Sequence, residues 1–257
     1  MASGTTGRTV PPVPQNDAYS EVFGDKQRIL LVFAHPDDME INCGGLVARL
    51  CYGGKKVRLV CCTSGERGTR EQVVDKEEFR ERRQGALFDG AAALGMSVDT
   101  DVFPLGIPDG EVEDTIQNIE RIVWHIRDFR PEIVITHEPS EYAKTVDGSY
   151  WYINHRDHRK TASLAIDAVY PYSRDEAFSS SSGLRGHTVR DVLMGDAFDR
   201  PLARRFDVTE HIDDKRRALR VHERAGAMTE EEFEVYASEG EVAGRYFEVL
   251  AWLTDLR

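Results

Sequence analysis

Short apolar runs that alternate with longer amphipathic segments constrain the fold of this chain more than any other feature. The runs with the length of a strand cover residues 28–34, 56–63, 101–104, 132–136, 189–194 and 204–208. Segments with apolar residues at helical spacing cover 40–52, 75–94, 115–129 and 158–170, and two or three more helices are expected after residue 208. Buried strands separated by helices favour a parallel sheet that is covered on both sides. We therefore predict a Rossmann-like α/β fold, with a mostly parallel sheet and helices on both faces.

The length of the chain suits one large α/β domain. It has 257 residues, of which 40% are hydrophobic and 30% are charged, as in ordinary globular proteins. No internal repeat or shift in composition marks a boundary, so residues 21–257 are predicted to form a single domain. Residues 1–20 are predicted to be a disordered N-terminal tail, because their first part is rich in Gly, Thr, Ser and Pro and lacks the apolar core of a signal peptide.

Charge, apolar runs and cysteine spacing narrow the class of protein. The formal net charge of −12 argues against nucleic acid, since phosphate binding needs a basic surface. No apolar run approaches the roughly 20 residues that a membrane-spanning helix needs, so no membrane span is expected. The four cysteines form no C-x-x-C pair and are expected to be reduced thiols of a cytoplasmic protein: Cys43, Cys51, Cys61 and Cys62.

The first predicted strand leads into a group of metal-binding residue types. His35, Asp37 and Asp38 follow it, where a nucleotide-binding oxidoreductase would have a glycine fingerprint. His35 and Asp38, three residues apart around a turn, could bind one divalent ion while Asp37 faces a water molecule on that ion. Alternatively, the two carboxylates only cap the following helix.

A second group of the same kind follows the long polar and aromatic loop 138–154. His155 and His158 lie three residues apart where the next helix is expected to begin. One of them can supply a third metal ligand and leave the other beside the open coordination position, as in catalytic zinc sites. Either pair alone is usually structural. Both groups, however, fall at one predicted rim of the sheet, which favours a catalytic metal site.

Four ordered motifs give the chain a family resemblance. They are A-H-P-D-D-x-E-x-x-x-G-G at 34–45, T-S-G-E-R-G-T-R at 63–70, L-G-I-P-D-G at 105–110 and H-x-D-H at 155–158. With these motifs the chain resembles the PIG-L/LmbE-like family of zinc-dependent deacetylases. Members of that family hydrolyse N-acyl groups of amino sugars and related glycoconjugates. The resemblance covers most of residues 28–225.

The resemblance implies a role for each residue of the two metal-binding groups. It implies that one zinc ion is held by three ligands: His35, Asp38 and His158. Asp37 would be the general base, and His155 would stabilise the substrate carbonyl or donate a proton. Asp157 would orient His155 and keep it charged. A tyrosine assists in some relatives, but its position is Ile153 here, with Tyr150 and Tyr152 close by.

Further polar residues fall near the same rim. Three are expected to contact substrate: Glu66, Arg70 and His137, of which His137 could instead brace the site from behind. Asp109 is expected to be a turn residue, and Glu40 to cap a helix or brace a metal ligand. His211 and His222 are expected to be ordinary surface or packing histidines.

The sequence therefore predicts a zinc-dependent hydrolase that removes an N-acetyl group from a small amino-sugar or glycoconjugate substrate. One alternative is an amidase that cleaves thiol conjugates of a sugar-linked low-molecular-weight thiol with the same metal site. A second is a non-catalytic metal- or sugar-binding protein of the same fold. The presence of Asp37, His155 and Asp157 argues against a pure binding protein, which needs no general base. A homo-oligomer is possible for each alternative.

Overall fold

The computed structural model describes residues 16–69, 75–140, 142–146, 150–178, 183–195 and 202–256. Its strands are β1 (Arg28–Phe33), β2 (Lys56–Thr63), β3 (Val102–Ile107), β4 (Ile133–Thr136), β5 (Ala143–Val146), β6 (Tyr150–Ile153), β7 (Asp191–Met194), β8 (Ala203–Asp207), β9 (Glu241–Val242) and β10 (Arg245–Leu253). Its α-helices are α1 (Tyr19–Phe23), α2 (Asp38–Tyr52), α3 (Lys76–Ala93), α4 (Val98–Asp101), α5 (Ile116–Phe129), α6 (Arg156–Asp167), α7 (Ile212–Arg224) and α8 (Glu230–Ser238).

Among the described residues, eight strands form one mixed sheet. Its strands lie in the order β3-β2-β1-β4-β7-β10-β8, with β9 paired to β10. The first five of these strands are parallel, whereas β10 runs antiparallel to both β7 and β8. The predicted mostly parallel sheet is therefore confirmed, with an antiparallel edge that the sequence analysis did not anticipate.

Both faces of the central strand β1 are buried. Ile29, Leu31 and Phe33 point into one apolar core, which also contains residues of α2 and α3. Leu30 and Val32 point into a second core on the opposite face, with residues of α5 and α6. Because alternate side chains of a strand face opposite sides of the sheet, a strand covered on both sides must be apolar throughout. The predicted helices on both faces are confirmed.

The glycine pair at the end of the first motif belongs to a kink in α2. The helix is interrupted at Cys43, whose φ and ψ are −154° and 28°. The carboxylate of Glu248 on β10 accepts hydrogen bonds from the N–H groups of Gly45 and the next residue, at 3.0 and 2.8 Å. Lys215 neutralises this buried carboxylate at 2.9 Å. A Cβ atom at Gly45 would lie only 2.7 Å from Cβ of Val208, so the close approach of the chain requires glycine there.

Two predicted regions differ from the observed fold. Strand β10 lies where only helices were predicted, because an apolar run without turn residues has no periodicity that separates a buried strand from a helix. It occupies the space between β7 and β8. The long loop 138–154 contains the antiparallel hairpin β5–β6, which stands apart from the main sheet.

The predicted N-terminal tail is only partly covered by the structure. Residues 1–15 of the predicted tail lie outside the described residues. Residues 16–20 are part of the fold, because Asp17 pairs with Arg49 at 2.8 Å and α1 begins at Tyr19. All four cysteines are free, and three of them are buried, whereas Cys51 is only partly so. Of the helices in the described part of the chain, none is both long and apolar enough to cross a membrane.

Candidate active site

The four sequence motifs meet at the carboxyl ends of the parallel strands. The first motif follows β1, and the second begins at the last residue of β2. The third spans the end of β3 and the turn after it, and the fourth begins α6. They surround a pocket of about 380 Å³. Its lining residues are His35, Asp37, Asp38, Ile41, Arg67, Gly68, Arg83, Asp109, Gly110, His155, His158 and Ala227. Ligands of open α/β sheets bind at this edge, so the fold places the pocket where a substrate site is expected.

The three predicted metal ligands converge in this pocket. Nδ1 of His35 lies 3.1 Å from Nε2 of His158 and 3.3 Å from Oδ2 of Asp38, and Nε2 of His158 lies 3.1 Å from Oδ1 of Asp38. Ligand atoms about 2.0–2.2 Å from a tetrahedral zinc ion are separated from one another by roughly 3.3–3.6 Å. The donor atoms, with one oxygen of Asp38 facing each imidazole, are therefore within about 0.2 Å of this spacing, and their chemistry suits one divalent ion.

The electrostatics of the same residues favour a cation. Burial opposes the charge on Asp38, but the imidazoles of His158, His137 and His35 outweigh this effect and hold the pKa of the carboxyl well below its usual range. Burial likewise opposes the charge on His35, yet three nearby carboxylates raise its pKa well above 6.5, those of Asp38, Asp109 and Asp157. Carboxylates that attract a proton to this imidazole would also attract a metal ion.

Asp109 is more than the turn residue that the sequence suggested. Its side chain is buried, and Oδ1 lies 3.3 Å from Nε2 of His35. Its other oxygen accepts a hydrogen bond from the backbone N–H of Arg67 at 3.0 Å. Glu66, expected to contact substrate, accepts a hydrogen bond from the N–H of Asp109 at 2.9 Å. The second motif therefore holds the third motif in place behind His35.

His137 lies behind the metal-binding group rather than on its substrate side. It is fully buried, and its Nε2 lies 3.1 Å from Oδ2 of Asp38. The N–H of Ala34 donates to the same nitrogen at 3.2 Å. The ring stacks on that of His158, with centroids 4.2 Å apart and planes 5° from parallel. The expected substrate contact is therefore corrected in favour of the bracing alternative.

Asp37 forms a two-pronged ion pair that the sequence analysis missed. Each carboxylate oxygen accepts one hydrogen bond of 3.0 Å, and the two bonds come from different Nη atoms of Arg83 on α3. Burial opposes the charge, but the guanidinium outweighs it and lowers the pKa of Asp37 to about 2. A signal was present in the sequence, because Arg83 shares the apolar face of its helix with Phe79 and Leu87.

His155 caps the helix that carries His158. Its Nδ1 accepts a hydrogen bond from the backbone N–H of Asp157 at 3.2 Å, and its ring lies edge-on to His35 at 4.7 Å. Burial lowers its pKa, as do the nearby imidazoles of His35 and His158. The carboxylate of Asp157 instead accepts from the N–H of Gly110 at 2.6 Å and lies 3.8 Å from Nε2 of His35. Asp157 still raises the pKa of His155, but less than burial and the two imidazoles lower it. The expected role of Asp157 in keeping His155 charged stays a prediction.

The remaining predicted residues lie as follows. Ile153 is 81% exposed at the end of the hairpin, and the side chains of Tyr150 and Tyr152 lie outside the described residues, as does Arg70. His211 stacks on Tyr52, as expected of an ordinary histidine.

Glu40 neither caps a helix nor contacts a metal ligand, contrary to the expectation from sequence. Its Oε1 lies 3.3 Å from Nε2 of His222, and both side chains are fully buried between α2, α3 and α7. His222 is therefore a packing histidine, as expected, but one paired with a buried carboxylate.

The sheet is Rossmann-like, and it carries a His/Asp group that could bind a metal ion, with another carboxylate and imidazole beside it. This arrangement is typical of α/β enzymes that use a metal ion to activate water. A profile of the PIG-L family, described as GlcNAc-PI de-N-acetylase, matches residues 30–169, more than half of the chain. The chain therefore belongs to the PIG-L family, and the resemblance predicted from the four motifs is confirmed.

The chain is also similar to two deacetylases and an amidase. Diacetylchitobiose deacetylase of Thermococcus kodakarensis is 30% identical over 209 residues, which span 79% of this chain and 72% of that protein. Mycothiol S-conjugate amidase of Streptomyces coelicolor is 25% identical over 195 residues, or 69% of this chain and 63% of the amidase. The solved structure of N,N'-diacetylchitobiose deacetylase from Pyrococcus horikoshii superposes with a TM-score of 0.77 at 25% identity, covering 91% of this chain and 86% of that one.

Proposed function

We propose that this protein is a zinc-dependent hydrolase that removes the N-acetyl group of an amino sugar or glycoconjugate, with release of the free amine and acetate. The observation that carries the proposal is the convergence of His35, Asp38 and His158 beside Asp37 and His155 in one pocket. The deacetylases among the similar proteins support the same reaction. Two imidazoles and one carboxylate suit zinc among the common divalent ions.

A zinc ion held by these ligands would act as a Lewis acid on the amide carbonyl and lower the pKa of a water molecule to about 7. Asp37 then accepts the proton of the attacking water. After attack, the C–N bond breaks and the proton passes from Asp37 to the leaving amine. The carboxylate stands one residue from the ligand Asp38 and lines the pocket, so it lies close to the reacting atoms.

His155 stabilises the negative charge that develops on the carbonyl oxygen. Because its Nδ1 accepts the N–H of Asp157, the proton of the neutral ring resides on Nε2, which can donate a hydrogen bond into the pocket. The lowered pKa agrees with this neutral form. His155 therefore acts as a hydrogen-bond donor without first taking up a second proton.

A second candidate reaction is the hydrolysis of an amide in a thiol conjugate of a sugar-linked thiol. The similarity to mycothiol S-conjugate amidase favours it. The bond cleaved is again a C–N amide bond, so the same metal ligands and the same Asp37 would serve. The two substrates differ only in the groups beyond the amide, which would fill the rest of the pocket. A cytoplasmic location and a homo-oligomeric state stay predictions for either.

The proposal is tested by primary-amine release from a panel of N-acetylated sugars, their glycosides and one S-conjugate of a sugar-linked thiol. Zinc-loaded protein is compared with its Asp37→Asn variant, and bound zinc is measured in both. Asp128→Asn serves as the matched control, since Asp128 pairs with Arg58 away from the pocket. We expect release that falls by roughly 10²–10⁴-fold in Asp37→Asn with zinc retained.

The other outcomes of this assay contradict defined parts of the proposal. Full turnover by Asp37→Asn would exclude Asp37 as the base, and loss of zinc would make it a ligand instead. Release from the S-conjugate alone would select the amidase. No release from any compound, with zinc bound, would reject both reactions.

A further inference from the structure

We propose that Arg83 is a positioning residue for this reaction: its guanidinium holds the carboxylate of Asp37 off the metal and aims it at the attacking water. The inference rests on the proposed function, in which Asp37 is the base. Two consecutive aspartates follow β1, and the motif alone does not explain why Asp38 rather than Asp37 would bind the metal.

The ion pair between Arg83 and Asp37 fixes the plane of the carboxylate. Nη1 donates to Oδ2 and Nη2 donates to Oδ1, each at 3.0 Å. Two parallel N–H···O bonds between planar groups restrict rotation about the last side-chain bond, which a single bond would allow. The side chains are only 4% and 14% exposed, so water competes little for either partner.

The neighbouring aspartate makes its close contacts with different residues. Asp38 faces the imidazoles of His35, His137 and His158, and no described guanidinium contacts it. With both oxygens of Asp37 held by Arg83, that carboxylate cannot turn toward the same imidazoles. Their different contacts therefore place Asp38 among the candidate metal ligands and Asp37 beside them.

The second sequence motif makes room for Arg83. Gly65 has a φ of 63°, and a Cβ atom there would lie 2.6 Å from Nη2 and 2.8 Å from Nε of Arg83. A residue with a side chain would displace the guanidinium from its position under Asp37. The glycine of this turn is therefore required both by backbone conformation and by the space that the guanidinium occupies.

The test is a double-mutant cycle with Arg83→Gln and Asp37→Asn, measured on zinc-loaded protein with the best substrate of the panel. We expect Arg83→Gln to lower kcat by roughly 10²-fold, as for a misplaced catalytic group, with little change in KM or bound zinc. Arg83→Lys keeps the positive charge without the two-pronged geometry and should recover less than a tenth of the lost kcat. In the Asp37→Asn background, Arg83→Gln should cost nothing further.

The control is another arginine with the same burial. Arg127, like Arg83, is 3% exposed, but it donates to backbone carbonyls of Tyr172 and Ser173 away from the pocket. Arg127→Gln should lower stability while leaving kcat per folded molecule unchanged. If the losses from Arg83→Gln and Asp37→Asn multiply instead of overlapping, or if Arg83→Gln keeps the wild-type kcat, the proposal is overturned. If Arg83→Gln does not fold, Arg83→Lys replaces it in the cycle.

A readout without turnover separates this proposal from the proposed reaction. In cobalt-substituted protein, Asp37 released from Arg83 should join the metal ligands, so Arg83→Gln should change the visible absorption of Co²⁺. The double variant should return to the wild-type spectrum, because Asn is a much poorer ligand than a carboxylate. If no panel compound is hydrolysed, an unchanged spectrum in Arg83→Gln overturns the positioning role by itself.

Discussion

Oδ1 of Asp109 lies 3.3 Å from Nε2 of His35, while the other ring nitrogen of His35 faces Asp38 and His158. A carboxylate in this position fixes the orientation of the imidazole and makes its free nitrogen a stronger metal ligand. The aspartate of the P-D-G turn is thus coupled to the metal-binding group through His35.

The first prediction concerns metal affinity. Asp109→Asn should weaken zinc binding by about 10–100-fold, because the imidazole of His35 loses its negatively charged partner. The measurement is competition for zinc with a chelating dye. Glu111→Gln, a change to an exposed carboxylate in the same turn, should leave the affinity unchanged. Equal affinities for Asp109→Asn and the wild type would return Asp109 to the role of a turn residue.

The second prediction compares two glycines of α3. A Cβ atom at Gly90 would lie 2.5 Å from Oε1 of Glu40 and 2.9 Å from Nε2 of His222, two side chains that are buried and cannot swing into solvent. Gly90→Ala should therefore lower the free energy of unfolding by about 1–3 kcal/mol. Gly85, on the same helix, has nothing within 4 Å, so Gly85→Ala should raise that free energy by about 0.5–1 kcal/mol.

Urea denaturation of both variants measures the difference. Two alanine variants with the same stability would mean that the Glu40–His222 pair adapts to an added methyl group.

The third prediction concerns acid stability. His125 on α5 is buried next to Phe103, and burial lowers the pKa of its imidazole from 6.5 to about 4, with a further contribution from Arg58. The unfolded chain protonates this residue first as the pH falls, so unfolding takes up a proton and stability decreases from about pH 6.5 down to pH 4. The difference between the two pKa values corresponds to a loss of about 3 kcal/mol in the free energy of unfolding.

His125→Phe removes this effect, because phenylalanine does not titrate. The variant should lose less stability than the wild type between pH 7 and pH 4 in urea titrations, and the difference between the two curves isolates His125 from other titrating groups. Parallel curves would show that the imidazole is protonated in the folded protein as well.

Much of the fold was predictable, because its signals are local. Strands β1, β2 and β4 and helices α3 and α5 lie within two residues of their predicted bounds. Strand β10 was missed because an apolar segment of that length packs equally well as a strand or a buried helix, and only the gap between β7 and β8 selects one.

The candidate site divides in the same way. The sequence by itself determined which residue types stand at the carboxyl ends of the strands, since strand, turn and motif are contiguous in the chain. His35, Asp38 and His158 were predicted together, and the structure brings their donor atoms within 3.3 Å.

The tertiary structure alone decided which partner each carboxylate has. Asp37 faces Arg83 from α3, and Asp109 faces His35 across the pocket. These pairs join separate loops, and their distances depend on how helices pack on the sheet, to within about an ångström. No local pattern carries the identity of these partners, so the sequence could predict the candidate metal ligands and the bracing role of His137 but not the pairs made by Asp37 and Asp109.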